Sequence, residues 1–366
     1  MSRAAPLLLG LTLACGGSSA PIVIASAGPW ATQPYAQAAK QGIELALAEV
    51  NERGGIDGRR VEWRARDDEA NGAKAAEIAN EFLVSPEVVA VVGHVNSGAM
   101  VAAARVYDGG LPAVAISTSS PDLTGISPWV FRVISSDSVN GIDAARFAQR
   151  MSFKSAAVLY ENDSFGRGFA DAFRRAYRGR LIAMEPIPSD SIADYEPYIA
   201  YLKSRQPDLV LMVSVEGPGI ALVREARRQQ LGAAILGSDG WSGMDKYPTD
   251  ANGIYVAQPF TASDPRPDAQ RFVTAFQSKY GTLPNANSAL GYDAMMVVIN
   301  AIRAVGTDRA RIRDYLASTA TRPAYAGVTG PIAFDSTGDV RNKPFTMTRL
   351  DGSQFVVVTP AAGTSP

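Results

Sequence analysis

Short runs of β-branched and apolar residues alternate along the chain with longer amphipathic stretches, and this alternation constrains the fold more than any single motif. A run of four to eight apolar residues suits a strand covered on both faces, and apolar residues at helical spacing suit the helix that covers it. Repetition of that pair predicts an α/β fold of mostly parallel sheets flanked by helices. Segments 22–27, 61–66, 88–93, 113–117, 156–160, 209–214 and 234–236 read as strands. In the second of these Val61, Trp63 and Ala65 alternate with Glu62, Arg64 and Arg66, which predicts a wetter face or an edge position. Segments 34–53, 73–83, 140–151, 166–177, 195–204, 219–230, 268–280 and 288–305 read as helices. The first places Ala36, Ala39, Ile43, Leu47 and Val50 on one face and stops at Gly54-Gly55. A chain of 366 residues exceeds what one core usually serves, so two lobes are expected.

The turns that follow the predicted strands are rich in small and hydroxyl residues. They read Gly28-Pro29-Trp30, His94-Val95-Asn96-Ser97-Gly98, Thr118-Ser119-Ser120-Pro121, Asn162-Asp163-Ser164-Phe165-Gly166, Val215-Glu216-Gly217-Pro218-Gly219 and Ser238-Asp239-Gly240-Trp241. In open α/β sheets the carboxyl ends of strands border the ligand crevice, and helix N-termini there present N–H groups to an anion such as a carboxylate. Composition narrows the chemistry. Lys and Arg number 35 against 36 Asp and Glu, so no basic field exists to hold nucleic acid. One histidine and one cysteine leave few routes to a histidine-based centre or metal site and forbid an internal disulfide. No G-x-S-x-G elbow or Walker phosphate loop is present, which favours binding over catalysis and calls for no cofactor.

Arg3 precedes an apolar run over 4–14, of signal-peptide length and too short to span a bilayer. It ends at Thr12-Leu13-Ala14-Cys15, with Gly16-Gly17-Ser18-Ser19 behind it. This resembles a bacterial lipoprotein cleavage box, with Cys15 as the lipidated residue and 1–20 as signal and tether. The alternative is an ordinary secretory signal cut near Ser18-Ser19-Ala20. Both place the mature chain in the periplasm or at the cell surface.

Further motifs carry a family resemblance: Pro34-Tyr35 leading to Gly42-Ile43-Glu44-Leu45-Ala46, Val50-Asn51-Glu52-Arg53-Gly54-Gly55-Ile56-Asp57-Gly58, Asp67-Asp68, Gly93-His94 with Ser97, and Ile116-Ser117 leading to Pro121-Asp122-Leu123-Thr124. Phe165-Gly166, Gly237-Ser238-Asp239-Gly240 and Gly291-Tyr292-Asp293-Ala294 complete the set. In this order they resemble the branched-chain amino-acid type of periplasmic binding protein, the type I solute-binding fold of ABC transporters. The resemblance implies two lobes joined by three hinge crossings, one formed by 21–133 and 259–328, the other by 134–258 and 330–358, with a tail over 359–366. It also implies that Ser97, Thr118 and Ser119 hold a ligand carboxylate, that Asp239 meets its ammonium, that Tyr35 and Phe165 close over it, and that Glu216 supplies a further pocket group. Phe165 stands where the family has tyrosine, Asp239 where it has glutamate, and Ala70 and Asn96 lie near the positions of its disulfide cysteines.

Each assignment has a plainer alternative. Asp239 could cap the turn before Gly240, Glu216 could be a solvated acid at a helix start, and Ser97, Thr118 and Ser119 could be helix caps. Tyr35, Phe165, Trp30 and Trp241 could be core aromatics. His94 reads as a neutral, hydrogen-bonded structural histidine. The expected function is an extracytoplasmic solute-binding protein that takes an amino acid or related small amide by hinge closure and delivers it to an ABC permease. The alternative is a ligand sensor of the same fold that signals through a separate partner. Enzymatic activity is not expected.

Overall fold

The computed structural model describes residues 20–189 and 194–358. Cys15 with its signal segment, and the tail 359–366, lie outside the described residues. The first sheet contains β1 (Ile22–Gly28), β2 (Val61–Asp67), β3 (Val88–Gly93), β4 (Ala113–Ala115) and β5 (Val130–Arg132), all parallel, in the order β2-β1-β3-β4-β5. β2 is an edge strand, which explains its alternating pattern. Helices α1 (Pro34–Glu52), α2 (Gly72–Val84) and α3 (Ser97–Tyr107) connect the first four strands. Pro34 opens α1, where a missing N–H is no loss. α3 buries only small residues plus Met100 and Tyr107, so its apolar stripe is faint in the sequence.

After β5 the chain enters the second lobe through α4 (Asp137–Arg150). There β6 (Ser155–Glu161), β7 (Arg180–Ile187), β8 (Leu209–Val213), β9 (Ala234–Gly237) and β10 (Tyr255–Gln258) run parallel, with α5 (Ser164–Ala176), α6 (Glu196–Arg205) and α7 (Glu216–Arg228) between them. It then returns to the first lobe as α8 (Pro267–Tyr280), α9 (Ala286–Val305), α10 (Arg309–Ala317) and the hairpin of β11 (Tyr325–Gly327) and β12 (Gly330–Ile332). Finally β13 (Thr346–Asp351) and β14 (Gln354–Val357) join the second sheet antiparallel, giving the order β14-β13-β10-β9-β8-β6-β7. The chain thus passes between the sheets after β5, after β10 and between β12 and β13.

The third passage differs from the expectation that 330 opens the second lobe. β12 pairs with β11, the Phe334 ring lies 5.1 Å from Phe131, the Gly125 N–H donates to Thr337 O and Arg132 pairs with Asp339. The segment through 340 is therefore packed on the first sheet. A buried polar knot joins the first and third passages. The Asp293 carboxylate accepts from Val328 N at 2.8 Å, Thr329 N at 2.9 Å and the Thr329 hydroxyl; Lys343 Nζ donates to Val133 O at 2.7 Å and to Thr329 Oγ1; and the Ser135 hydroxyl donates to the Lys343 carbonyl. Burial pushes the Lys343 ammonium down to about 8, against the opposing pull of Asp293. The first-lobe core rests on the close approach of α1 and α9. A Cβ on Gly42 would sit 1.9 Å from Ser288 O, and one on Gly291 2.2 Å from Ala39 O, so each helix offers a glycine to its neighbour's backbone.

Candidate ligand-binding cleft

A cavity of about 750 Å³ opens between the two sheets at the carboxyl ends of their strands. The first lobe supplies Gln33 and Tyr35 after β1, Asn96, Ser97 and Gly98 after β3, and Ser117 after β4. The second supplies Glu161 at the end of β6 with Asp163 and Phe165 after it, Val215, Gly217 and Pro218 after β8, and Asp239 and Gly240 after β9. Four of the six turns singled out in the sequence therefore meet in one place, and residues adjoining the other two, Gln33 and Ser117, reach it as well. The lobes touch beside it: α5 packs on the Pro121–Leu123 turn, and a Cβ on Gly168 would lie 2.4 Å from Pro121 Cδ.

Four of the seven expected site residues, Tyr35, Ser97, Phe165 and Asp239, line the cavity. Tyr35 is nearly buried, and its hydroxyl accepts from Asn96 Nδ2 at 2.7 Å. Burial raises the Tyr35 phenol far above its ordinary range, despite that bond, and the negative charges of Glu161, Asp68 and Asp163 push the same way. Ser97 opens α3 and accepts from Ser120 N at 3.3 Å, so it links two turns while facing the cavity. Phe165 occupies the first turn of α5, whose N-cap Asp163 accepts from Gly166 N at 2.7 Å. Asp239 is only 7% exposed, and its Oδ1 has no hydrogen-bond partner within the protein. Burial pushes its carboxyl up to about 7. Asp137, at the start of α4, is wholly buried, and desolvation together with the charge of Asp239 holds it well above the usual carboxylate range.

Thr118, Ser119 and Glu216 do not line the cavity. The Thr118 hydroxyl turns back into its own lobe, 3.2 Å from His94 O and 3.4 Å from Val95 O. Ser119 is fully buried, and its carbonyl accepts from Asp137 N at 2.8 Å. The residue that lines the cavity on this side is the preceding Ser117, whose hydroxyl donates to Val95 O at 3.4 Å. Glu216 is 4% exposed, and both its oxygens lie 3.2 Å from Lys246 Nζ, with the Tyr247 hydroxyl at 3.3 Å. A carboxylate so paired with a cation of its own lobe is engaged before any ligand arrives. It is neither a pocket group nor a solvated acid.

Two aromatics belong to the core. Trp30 Nε1 donates to Arg66 O at 2.8 Å, and the ring meets Trp63 edge-on. Trp241 Nε1 donates to Ser214 Oγ at 2.9 Å, its ring lying over Gly237 and Gly219. His94 is fully buried, with Nδ1 2.6 Å from Asp68 and Nε2 3.0 Å from the Tyr107 hydroxyl, away from the cavity. No group of three His, Cys, Asp or Glu side chains among the described residues is arranged to hold a metal ion.

Sequence reasoning missed Asn96, Ser117, Glu161 and Asp163 as site residues, although all lie in or next to the turns it identified. Glu161 ends β6 and is 3% exposed; Oε1 accepts from Val215 N at 2.8 Å, and burial, with the charge of Asp163, pushes its carboxyl up to about 7. Asn287, in the first turn of α9, also lines the cavity, and no local signal marks it.

A profile of the periplasmic binding protein family matches residues 21–354. The leucine-, isoleucine-, valine-, threonine-, and alanine-binding protein of Pseudomonas aeruginosa is 28% identical over 338 residues, covering 89% of each chain. The branched-chain amino acid transporter substrate binding protein LivJ of Streptococcus pneumoniae, solved with isoleucine, superimposes with a TM-score of 0.85 at 26% identity, covering 93% of this chain and 100% of that one. An ABC transporter substrate-binding protein of Desulfitobacterium hafniense, solved with leucine, gives a TM-score of 0.80 at 28% identity over 92% of this chain and 100% of that one. The family match spans both sheets and the cleft between them, so the chain belongs to the periplasmic binding protein family.

Proposed function

We propose that this protein captures an amino acid in the interlobe cleft outside the cytoplasm and hands it to an ABC permease. The observation that carries this reading is the buried Asp239 carboxylate in the second lobe, which has no cation beside it and an Oδ1 without a hydrogen bond, across the cavity from the N-terminus of α3 in the first. A buried acid without a partner disfavours the folded state unless a cation reaches it, and an ammonium supplies one. The opposite end of an amino acid is an anion, suited to the free N–H groups and Ser97 hydroxyl at a helix start. A ligand held at both ends touches both lobes only when they are closed, so binding shifts the hinge equilibrium to a shape a permease reads. In this reading the lobes divide into 21–133 with 259–341 and 134–258 with 342–358, a boundary supported at the third passage by the Phe334 and Asp339 contacts.

The direct test is a thermal-shift and calorimetry panel of α-amino acids, amides and ureas on the chain from Pro21. A solute at about 100 times its dissociation constant adds about 2.7 kcal/mol to the folded state. Ser97→Ala should weaken the α-amino acid that responds by about tenfold, roughly one net hydrogen bond. No response from any α-amino acid, with folded and ligand-free protein, would remove this reading.

Anchoring rests on Ala14-Cys15 and the Gly16-Gly17-Ser18-Ser19 tether. We propose that Cys15 carries lipid. Cys15→Ser should move the protein from the membrane to the soluble fraction of fractionated cells, and unchanged membrane association would refute the anchor.

A further inference from the structure

The charged side chains that line the cleft are all acids. Three carboxyl groups line it, those of Glu161, Asp163 and Asp239, and no Lys, Arg or His among the described residues does so. Asp239 Oδ1 and Asn96 Oδ1 make no hydrogen bond within the protein. Asn96 spends its amide N–H on the Tyr35 hydroxyl, which leaves its carbonyl oxygen as the free end. One ammonium accounts for Asp239. It leaves Glu161, which is buried, and Asp163, at the exposed rim, facing Tyr35 and Asn96 across the cleft.

Resting on the reading of this cleft as an amino-acid site, we propose that the solute is a basic amino acid, whose side chain ends in a guanidinium or ammonium held by Glu161 and Asp163. The Glu161 carboxyl accepts from Val215 N and the Asp163 carboxyl from Gly166 N, which fixes both acids in position at the cleft. Arg167, the nearest guanidinium in sequence, directs its hydrogen bonds to the Asn162 carbonyl and side chain, while its charge bears on Asp163 alone of the two acids. A branched aliphatic side chain in the same place would strip water from Glu161 and offer nothing in return, and such desolvation is costly for a carboxylate. A guanidinium supplies paired donors in a plane that suits two carboxylates. Tyr35 adds an aromatic wall on which its face can lie.

Calorimetry with arginine, ornithine, leucine, agmatine and citrulline, the last an uncharged isostere of arginine, tests the proposal. The double variant Glu161→Gln, Asp163→Asn keeps both backbone acceptors and removes both charges. Arginine or ornithine should bind at least about tenfold more tightly than leucine and citrulline, and in the variant that preference should shrink to within about threefold. Leucine binding as tightly as the basic amino acids, or a preference that survives in the variant, overturns the proposal. Its failure is distinct from failure of the amino-acid reading. If leucine binds best and Ser97→Ala weakens it, the amino-acid site stands and the second charge falls. If agmatine, which lacks the carboxylate, binds as well as arginine, the acid pair stands and the carboxylate site falls.

Discussion

Asp239→Asn should weaken binding of the cognate amino acid by roughly two orders of magnitude while making the unliganded protein more stable. Truncating one partner of a buried charged pair costs about 2–5 kcal/mol, or about 30-fold to several thousandfold in affinity. The amide retains an acceptor oxygen, which puts it in the lower half of that range. The stability gain follows from the same burial. An unfolded aspartate titrates near 3.9, whereas burial pushes Asp239 up to about 7 in the folded protein. Between those values the folded state keeps a proton that the unfolded chain has released, so stability falls as pH rises through the window, and the full cost applies above about 7. Asparagine removes that cost and also relieves the repulsion on Asp137. The gain in Tm of the unliganded variant should therefore be larger at pH 8 than at pH 5. Calorimetric affinity within threefold of the parent protein, or equal Tm changes at the two pH values, would show that Asp239 is not an unpaired ligand-facing acid.

Arg132→Met should destabilise the protein by about 3–5 kcal/mol, measured as a shift in the urea midpoint. The Arg132 side chain is buried; Nη2 lies 2.6 Å from Asp339 and donates to Thr124 Oγ1 at 2.7 Å, while Nη1 donates to Ser120 O at 2.7 Å. Methionine fills the volume but strands a mostly buried carboxylate and a carbonyl. Because the guanidinium ties the third passage to the turn that carries Ser117, the variant should also lose ligand affinity. Lysine cannot reproduce the planar fork, so Arg132→Lys should recover only part of the loss. A change in stability below about 1 kcal/mol would mean that the fork contributes little net energy.

What the sequence determined by itself was whatever depends on neighbours along the chain. Periodicity placed the long helices, apolar runs placed the central strands, and Pro34 and the Gly54-Gly55 stop marked the ends of α1 within a few residues. The carboxyl-end turns were legible for the same reason, since a parallel strand must be followed by a turn that starts a helix. Strands β5, β7 and β10 were not, being too short or, in β7, an exposed edge. Nor were β13, which owes its place to pairing with β10 far back in the chain, and β14, which pairs with β13 in turn. Within the site, the family resemblance pointed to Asp239 and Ser97, but only the tertiary structure decided which side of a turn faced the cavity. Ser117 lines the cavity and Thr118 does not, its hydroxyl bonding back to His94 O, and Glu216 is withdrawn because Lys246 reaches it from 30 residues on. Glu161 and Asp239 acquire their raised pKa values from desolvation, which depends on what the rest of the chain packs around them. Local backbone preference is written in short stretches of sequence, whereas the burial and pairing of a charge are long-range properties that exist only once the lobes have folded against each other.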